Sequence, residues 1–345
     1  MKKLSILLMF CALVMVAQAQ KPKKPSISKA KSYLAKQELT EAVEMIELVI
    51  NDAKLSTKPD AWSTRVKVYK AVYSSETPVA GVDKDQALEL AVASKDKVAE
   101  VEGKGDAGPF IFAAEQDITN LYNEILNKGV ELYNGGTYEE AIGYFETLPK
   151  LNDEDTVGYT YAAQVANEIE DWPTLVSNYQ ALGRMLKREE FYTTVLQIQK
   201  DVMEDLPGAE ATIAEAKEVL GDDNNNINKY EIDLLILQDK IEDAKNKLIM
   251  AIEAEPELAV LRLRLALLYD QLASNERAKE ESNAEKLAEY ETAAGDAYAA
   301  TLEVDPQNIT ALYNYSVVFN ERANTLLKEL EEMAGRSINE YQKNE

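Results

Sequence analysis

Apolar positions recur along this chain at the three-to-four-residue spacing of amphipathic helices, in runs separated by short polar turns. The pattern predicts helix pairs beginning near Ile27, Ala61, Ile111, Thr156, Glu189, Ile227 and Glu257, then one long helix from Ile309 to about Ala334. Leu261–Leu265 alternates Leu and Arg like a strand, but it runs on into Ala266–Tyr269 between two helices and is read as helix. Helix starts have recognisable chemistry. Thr137 with Glu140 and Ser282 with Glu285 have the spacing of capping boxes. Asp171 stands before Pro173, which is tolerated in a first helical turn. Pro256 and Pro306 stand where helices should stop. Between Ser74 and Phe110, and again between Glu189 and Asp223, the pattern fades.

Superimposed on the helical period is a longer one. Ile125, Tyr138, Ala141, Phe145 and Leu148 each step by 34 to Tyr159, Trp172, Leu175, Tyr179 and Leu182, and the small Gly129 steps to the small Ala163. Leu235 steps 34 to Tyr269. Ala244, Leu248, Ala251 and Pro256 step 50 to Ala294, Tyr298, Thr301 and Pro306, one period plus a 16-residue insertion. The insertion falls around Ser274–Glu289, a charged stretch that need not pack. Ala141 and Ala244 mark points where two helices must approach closely. Units that bury their apolar faces only on their neighbours make a stack.

These residues resemble the tetratricopeptide repeat, a helix–turn–helix unit of about 34 residues. Asn134–Leu148 and Asp239–Glu257 are the nearest matches. The resemblance implies an all-α fold: a right-handed superhelical solenoid of antiparallel helix pairs, about seven pairs plus a C-terminal helix. It also implies that the first helix of each pair lines the concave face, with its second, fifth, ninth, twelfth and thirteenth residues meeting ligands. In this sequence those positions are Asn123, Leu126, Val130, Tyr133 and Asn134, then Val157, Thr160, Gln164, Asn167 and Glu168, and lastly Thr310, Tyr313, Val317, Asn320 and Glu321. Asn123, Tyr133, Asn134, Gln164, Asn167, Glu168, Tyr313, Asn320 and Glu321 are the candidate partner-binding residues. This lining is polar to acidic with scattered aromatics. It lacks the paired Lys and Asn with which chaperone-binding members clamp a C-terminal carboxylate.

Composition narrows the chemistry. The chain has 345 residues, 46% of them apolar, enough for a large core. Asp plus Glu number 61 against 37 Lys plus Arg, a formal charge of −24, which disfavours nucleic acid and anionic lipid as partners. There is no His and a single Cys, so imidazole catalysis, the usual zinc ligands and intrachain disulfides are excluded. No cofactor or metal is expected, and an enzyme is disfavoured. Tyrosine is in excess, 18 against 6 Phe, which suits interfaces where a ring is buried and its hydroxyl is bonded.

Two short segments have superficial motif character. Asp222–Asn228 has alternating oxygen ligands like a calcium loop, but Ile227 occupies the position that needs Gly, so a polar interhelical loop is expected. Gly103–Gly108 lacks the spacing of a phosphate-binding loop and reads as a turn.

The amino terminus has the anatomy of an export signal: Lys2 and Lys3, an apolar run from Leu4 to Ala17, and Ala17-Gln18-Ala19 before a cut at Gln20. The run is too short to span a membrane. Cys11 follows the bulky Phe10, which argues against lipidation. The expected organisation is therefore a signal peptide over 1–19, a basic Pro-containing linker over 20–29, the helical solenoid over 30–336 and a polar tail over 337–345. The linker is read as solvated, or as a basic tether to an anionic surface or to the protein's own acidic body. The expected role is a periplasmic scaffold binding another protein or peptide, with a basic surface on the partner and possible association with the envelope. The alternative expectation is a glycan- or peptide-binding module for nutrient capture.

Overall fold

The structure, a computed structural model, describes residues 23–79, 81–103 and 108–343. The export signal, its cleavage site and Cys11 lie outside the described residues, as does most of the Gly103–Gly108 turn. The helices fall into two compact units, residues up to Leu175 and residues from Val176 onward.

The first unit contains α1 (Ile27–Ala35), α2 (Leu39–Ile50), α3 (Pro59–Ser74), α4 (Lys84–Glu102), α5 (Pro109–Asn134), α6 (Tyr138–Phe145), a 3-10 turn at Leu148–Lys150 and α7 (Thr156–Glu168). Each helix packs on the next in sequence, and α3 also packs on α1 and α5. α8 (Trp172–Leu186) begins at the end of this unit. The second unit contains α9 (Glu189–Asp201), α10 (Leu206–Leu220), α11 (Asn225–Leu237), α12 (Ile241–Ala254), α13 (Ala259–Arg277), α14 (Ala284–Val304) and α15 (Ile309–Lys343), again with each helix on the next and α9 on α11. Seven consecutive pairs and a last helix among the described residues are what the sequence pattern predicts.

The close approaches are where small residues stand. Ala141 and Ala244 are fully buried. A side chain added at Gly129 would begin 2.7 Å from the Phe145 ring, so α5 and α6 touch at a point that admits no methyl group. Phe145 also stacks on Tyr161 of α7 at 5.2 Å. Downstream, Ile232, Ala244, Leu248 and Leu261 form one core cluster, and Ala266, Ala294, Tyr298 and Ala311 the next.

The turns between helices show a device that residue types conceal. Gly136, Glu170 and Glu204 all have left-handed backbone, with φ of 77°, 58° and 51°, and each stands one repeat period after the one before. Gln37 and Asp239 do the same in two further pairs. A left-handed residue after a helix end redirects the chain within a few residues, and only one of these five is the glycine that tolerates it without strain.

Several boundary expectations need correction. Asp171 does cap α8, accepting from the Thr174 amide at 3.3 Å, and Pro256 and Pro306 do follow α12 and α14. Thr137, however, makes no side-chain cap to α6. α14 is capped by Asn283, one residue past Ser282, which accepts from the Glu285 and Lys286 amides. Asn reaches the same amides as Ser, and here it has the extended backbone that a cap needs. The insertion at Ser274–Glu289 is largely exposed, as expected, although it extends α13 and α14 and buries Glu276, which accepts from the Asn283 amide at 2.8 Å. α15 runs past Ala334 to Lys343, because no proline follows to end it. Leu261–Leu265 is helical, as expected.

Candidate interaction surface

Five of the ten candidate positions in the first unit come from α5 and five from α7. Eight of them, Asn123, Val130, Asn134, Val157, Thr160, Gln164, Asn167 and Glu168, are exposed, and Leu126 and Tyr133 are half-buried. The structure brings two of them together: the Tyr133 hydroxyl donates to Glu168 Oε1 at 2.8 Å. That bond, more than partial burial, raises the Tyr133 pKa from its ordinary value. The Tyr133 ring also packs on Tyr138 at 5.7 Å. In the second unit Thr310, Tyr313, Val317, Asn320 and Glu321 are all exposed on α15, Tyr313 at 68%. Glu321 accepts from Arg277 Nη2 at 3.1 Å, and the same nitrogen bonds Glu291 at 2.7 Å.

The sequence reading left out basic residues on other first helices. Gln164, Asn167 and Glu168 step by 33 to Gln197, Lys200 and Asp201 of α9. Those residues line a cavity of about 390 Å³ with Lys229, Tyr230 and Asp233 of α11 and Val260 and Arg264 of α13. Its cations are paired: Arg264 Nη1 lies 2.9 Å from Asp233 Oδ1, Lys229 3.6 Å from Glu255, and Lys200 sits over the Tyr230 ring at 6.0 Å. In the first unit Lys67 and Lys70 of α3 share Asp117 of α5, at 4.0 and 3.2 Å, beside a cavity of about 450 Å³. None of the candidate positions on α5, α7 and α15 is basic, whereas α3, α9, α11 and α13 carry Lys and Arg. The available signal was the one-residue change of step, which the fading pattern after Glu189 obscured.

The Asp222–Asn228 segment is a helix cap. Asn224 Oδ1 accepts from the Asn226 and Ile227 amides at 3.1 and 3.0 Å, Ile227 is buried, and Asp233 is paired with Arg264 inside α11. Among the described residues no group of three His, Cys, Asp or Glu is placed to hold a metal ion. No described helix is long and apolar enough to cross a membrane. The basic segment before α1 reaches the protein's own surface, with Lys23 Nζ 2.6 Å from Glu44 Oε2.

Antiparallel helix pairs, small residues at the crossings and left-handed turns recurring at the repeat period define a tetratricopeptide-like helical-repeat protein. No protein-family model matches the sequence, nor does any curated protein. Solved structures that it resembles include a thermophilic TPR protein of Thermus thermophilus, at 19% identity and a TM-score of 0.33, covering 57% of this chain and 98% of that one. Another is YrrB, described as a TPR protein with an unusual peptide-binding site, at 13% identity and a TM-score of 0.37, covering 58% and 97%. A third is the C-terminal part of a TPR repeat-containing protein from Cytophaga hutchinsonii, at 14% identity and a TM-score of 0.37, covering 83% and 98%.

Proposed function

We propose that this protein is an interaction scaffold that holds another protein or peptide on the first-helix faces of its repeats. The observation that carries this reading is the character of those faces: exposed side chains on successive helices, whose charges are paired only within the surface itself. A ligand with matching groups can exchange for such pairs, because an exposed ion pair or hydrogen bond is individually weak. We further propose that the chain acts in the periplasm, after cleavage following Ala19, in envelope assembly or secretion, with residues 30–336 as one scaffold. The motivation is the signal-like start. A net charge of −24 favours a partner with a basic surface.

Cross-linking in intact cells followed by mass spectrometry of the envelope fraction is the direct test. A reproducible partner whose association slows with the double change Glu168→Gln and Glu321→Gln, and weakens from about 0.05 to 0.5 M salt, supports the reading. Affinity that is constant across that range removes the basic-partner part, and no reproducible partner removes the scaffold.

A further inference from the structure

The last helix is built differently from the others. Only part of α15 is packed. Its N-terminal half packs on α14 through Ala311, Tyr315 and Val318. The next face round the helix is bare. Leu312, Phe319, Leu326 and Met333, spaced by seven residues, are 48, 65, 53 and 60% exposed, and Leu330 and Leu327 are each 57% exposed. Ser316, Ala323 and Leu330 stand four residues after the first three of them. An apolar residue every seven with a second row four residues on is the seam that a partner helix packs into.

Register shows what belongs on that face. The step of 50 that carries Ala244 to Ala294 carries Ala266 to Ser316 and Tyr269 to Phe319. Ala266 is buried, and Tyr269 packs in the same cluster with residues of α14. Ser316 and Phe319 are the matching small and aromatic residues of α15, and both are exposed among the described residues.

We propose that this face is a self-association surface, on which the α15 of a second copy packs antiparallel. The proposal stands apart from the scaffold reading and does not depend on it.

Three observations favour a second copy. The seam continues beyond the part of α15 that packs on α14, so one helix has both a half that needs covering and a half able to cover. Antiparallel packing then sets Phe319 against the second copy's Leu330, and Leu326 against the small Ala323. The charges also permit it. α15 has four basic and five acidic residues, with none before Glu321. The whole chain has a charge of −24. Two copies that repel each other elsewhere can meet here. Finally, the size is adequate. A 35-residue helix is about 50 Å long. Its half-exposed apolar side chains offer an area on the order of the ~800 Å² per partner of a stable interface.

Analytical ultracentrifugation of the purified protein tests this. The expected result is a concentration-dependent dimer that is lost in Leu326→Glu and in Leu330→Glu, with circular dichroism and melting temperature of the monomer unchanged. In a Cys11→Ser background, mixing Phe319→Cys with Leu330→Cys should give a disulfide-linked heterodimer, with little linkage in either variant alone. Self-linkage of each variant in place of the heterodimer would mean parallel helices and would overturn the proposed geometry. A monomer at every accessible concentration, or a dimer indifferent to both glutamate substitutions, would overturn the proposal; so would a monomer whose α15 variants lose a different protein in cross-linking.

Discussion

The Tyr69 hydroxyl donates to Glu47 Oε1 over 2.7 Å, joining α3 to α2 through a tyrosine with no exposed surface. The same motif recurs through the molecule. Tyr122 donates to Asp155, Tyr133 to Glu168, Tyr192 to Glu215 and Tyr298 to Asp270. Tyr69, Tyr192 and Tyr298 are fully buried rings that tie adjacent helices, and the half-buried Tyr122 and Tyr133 link α5 to the cap and the far end of α7. The excess of Tyr over Phe in an acidic chain thereby acquires a structural reason.

Arg65 should be the least replaceable charge in the first unit. It is 7% exposed, and its Nε donates to the Glu47 oxygen that also holds Tyr69, while Nη1 reaches Ser94 of α4. Its guanidinium also lies 4.9 Å from the Tyr69 ring centre. Arg65→Ala should cost about 3–5 kcal/mol, since it leaves a partly buried carboxylate without its cation. Urea denaturation of the variant beside Glu47→Gln/Arg65→Met measures it, and the double variant should recover much of the loss.

Ala141→Leu should destabilise the first unit by about 1–3 kcal/mol, because the position is fully buried in a helix pair that already excludes a methyl group at Gly129. The solvent-facing Gly143→Ala, with nothing within 4 Å of the added carbon, is the control and should be neutral or stabilising. Thermal melts of the two variants decide between them.

Tyr298→Phe should cost about 1–3 kcal/mol by removing the donor from half-buried Asp270. Burial holds the Asp270 carboxyl above its ordinary 3.8, and the Tyr298 bond opposes that rise. Without the bond its pKa rises further. The folded state then keeps a proton that the unfolded state has released, so stability falls as pH rises through the folded value. The deficit relative to the parent should be largest at neutral pH, shrink as pH falls through the two raised folded values, and be smallest below them. A deficit independent of pH would place the effect in packing instead.

At high pH the tyrosines should govern stability. Burial first, then the bonded carboxylates, pushes Tyr69, Tyr122, Tyr192 and Tyr298 above their ordinary value of 10, and burial pushes Tyr73 up to about 12. The folded chain therefore holds more phenolic protons than the unfolded chain above pH 10, and stability should decline from there upward. Ultraviolet titration should show exposed tyrosines ionising first and a later group ionising together with loss of helical circular dichroism.

The number of helices, their pairing and the approximate start of each pair were determined by the sequence alone. These depend on local facts: the apolar period, small residues at crossings, and prolines and caps at boundaries. Short-range rules failed where the choice lay between neighbours of equal competence, as with Ser282 and Asn283. Only the tertiary structure decided which polar groups meet. A tyrosine's partner lies on another helix, and nothing in residue spacing says that Tyr69 finds Glu47 or that Tyr133 finds Glu168. The left-handed turns at Glu170 and Glu204 were hidden for a related reason: packing of the flanking helices imposes a backbone that glutamate does not choose by itself. Sequence placed apolar residues along α15, but only packing revealed which of them are buried on α14 and which, such as Phe319 and Leu326, are exposed.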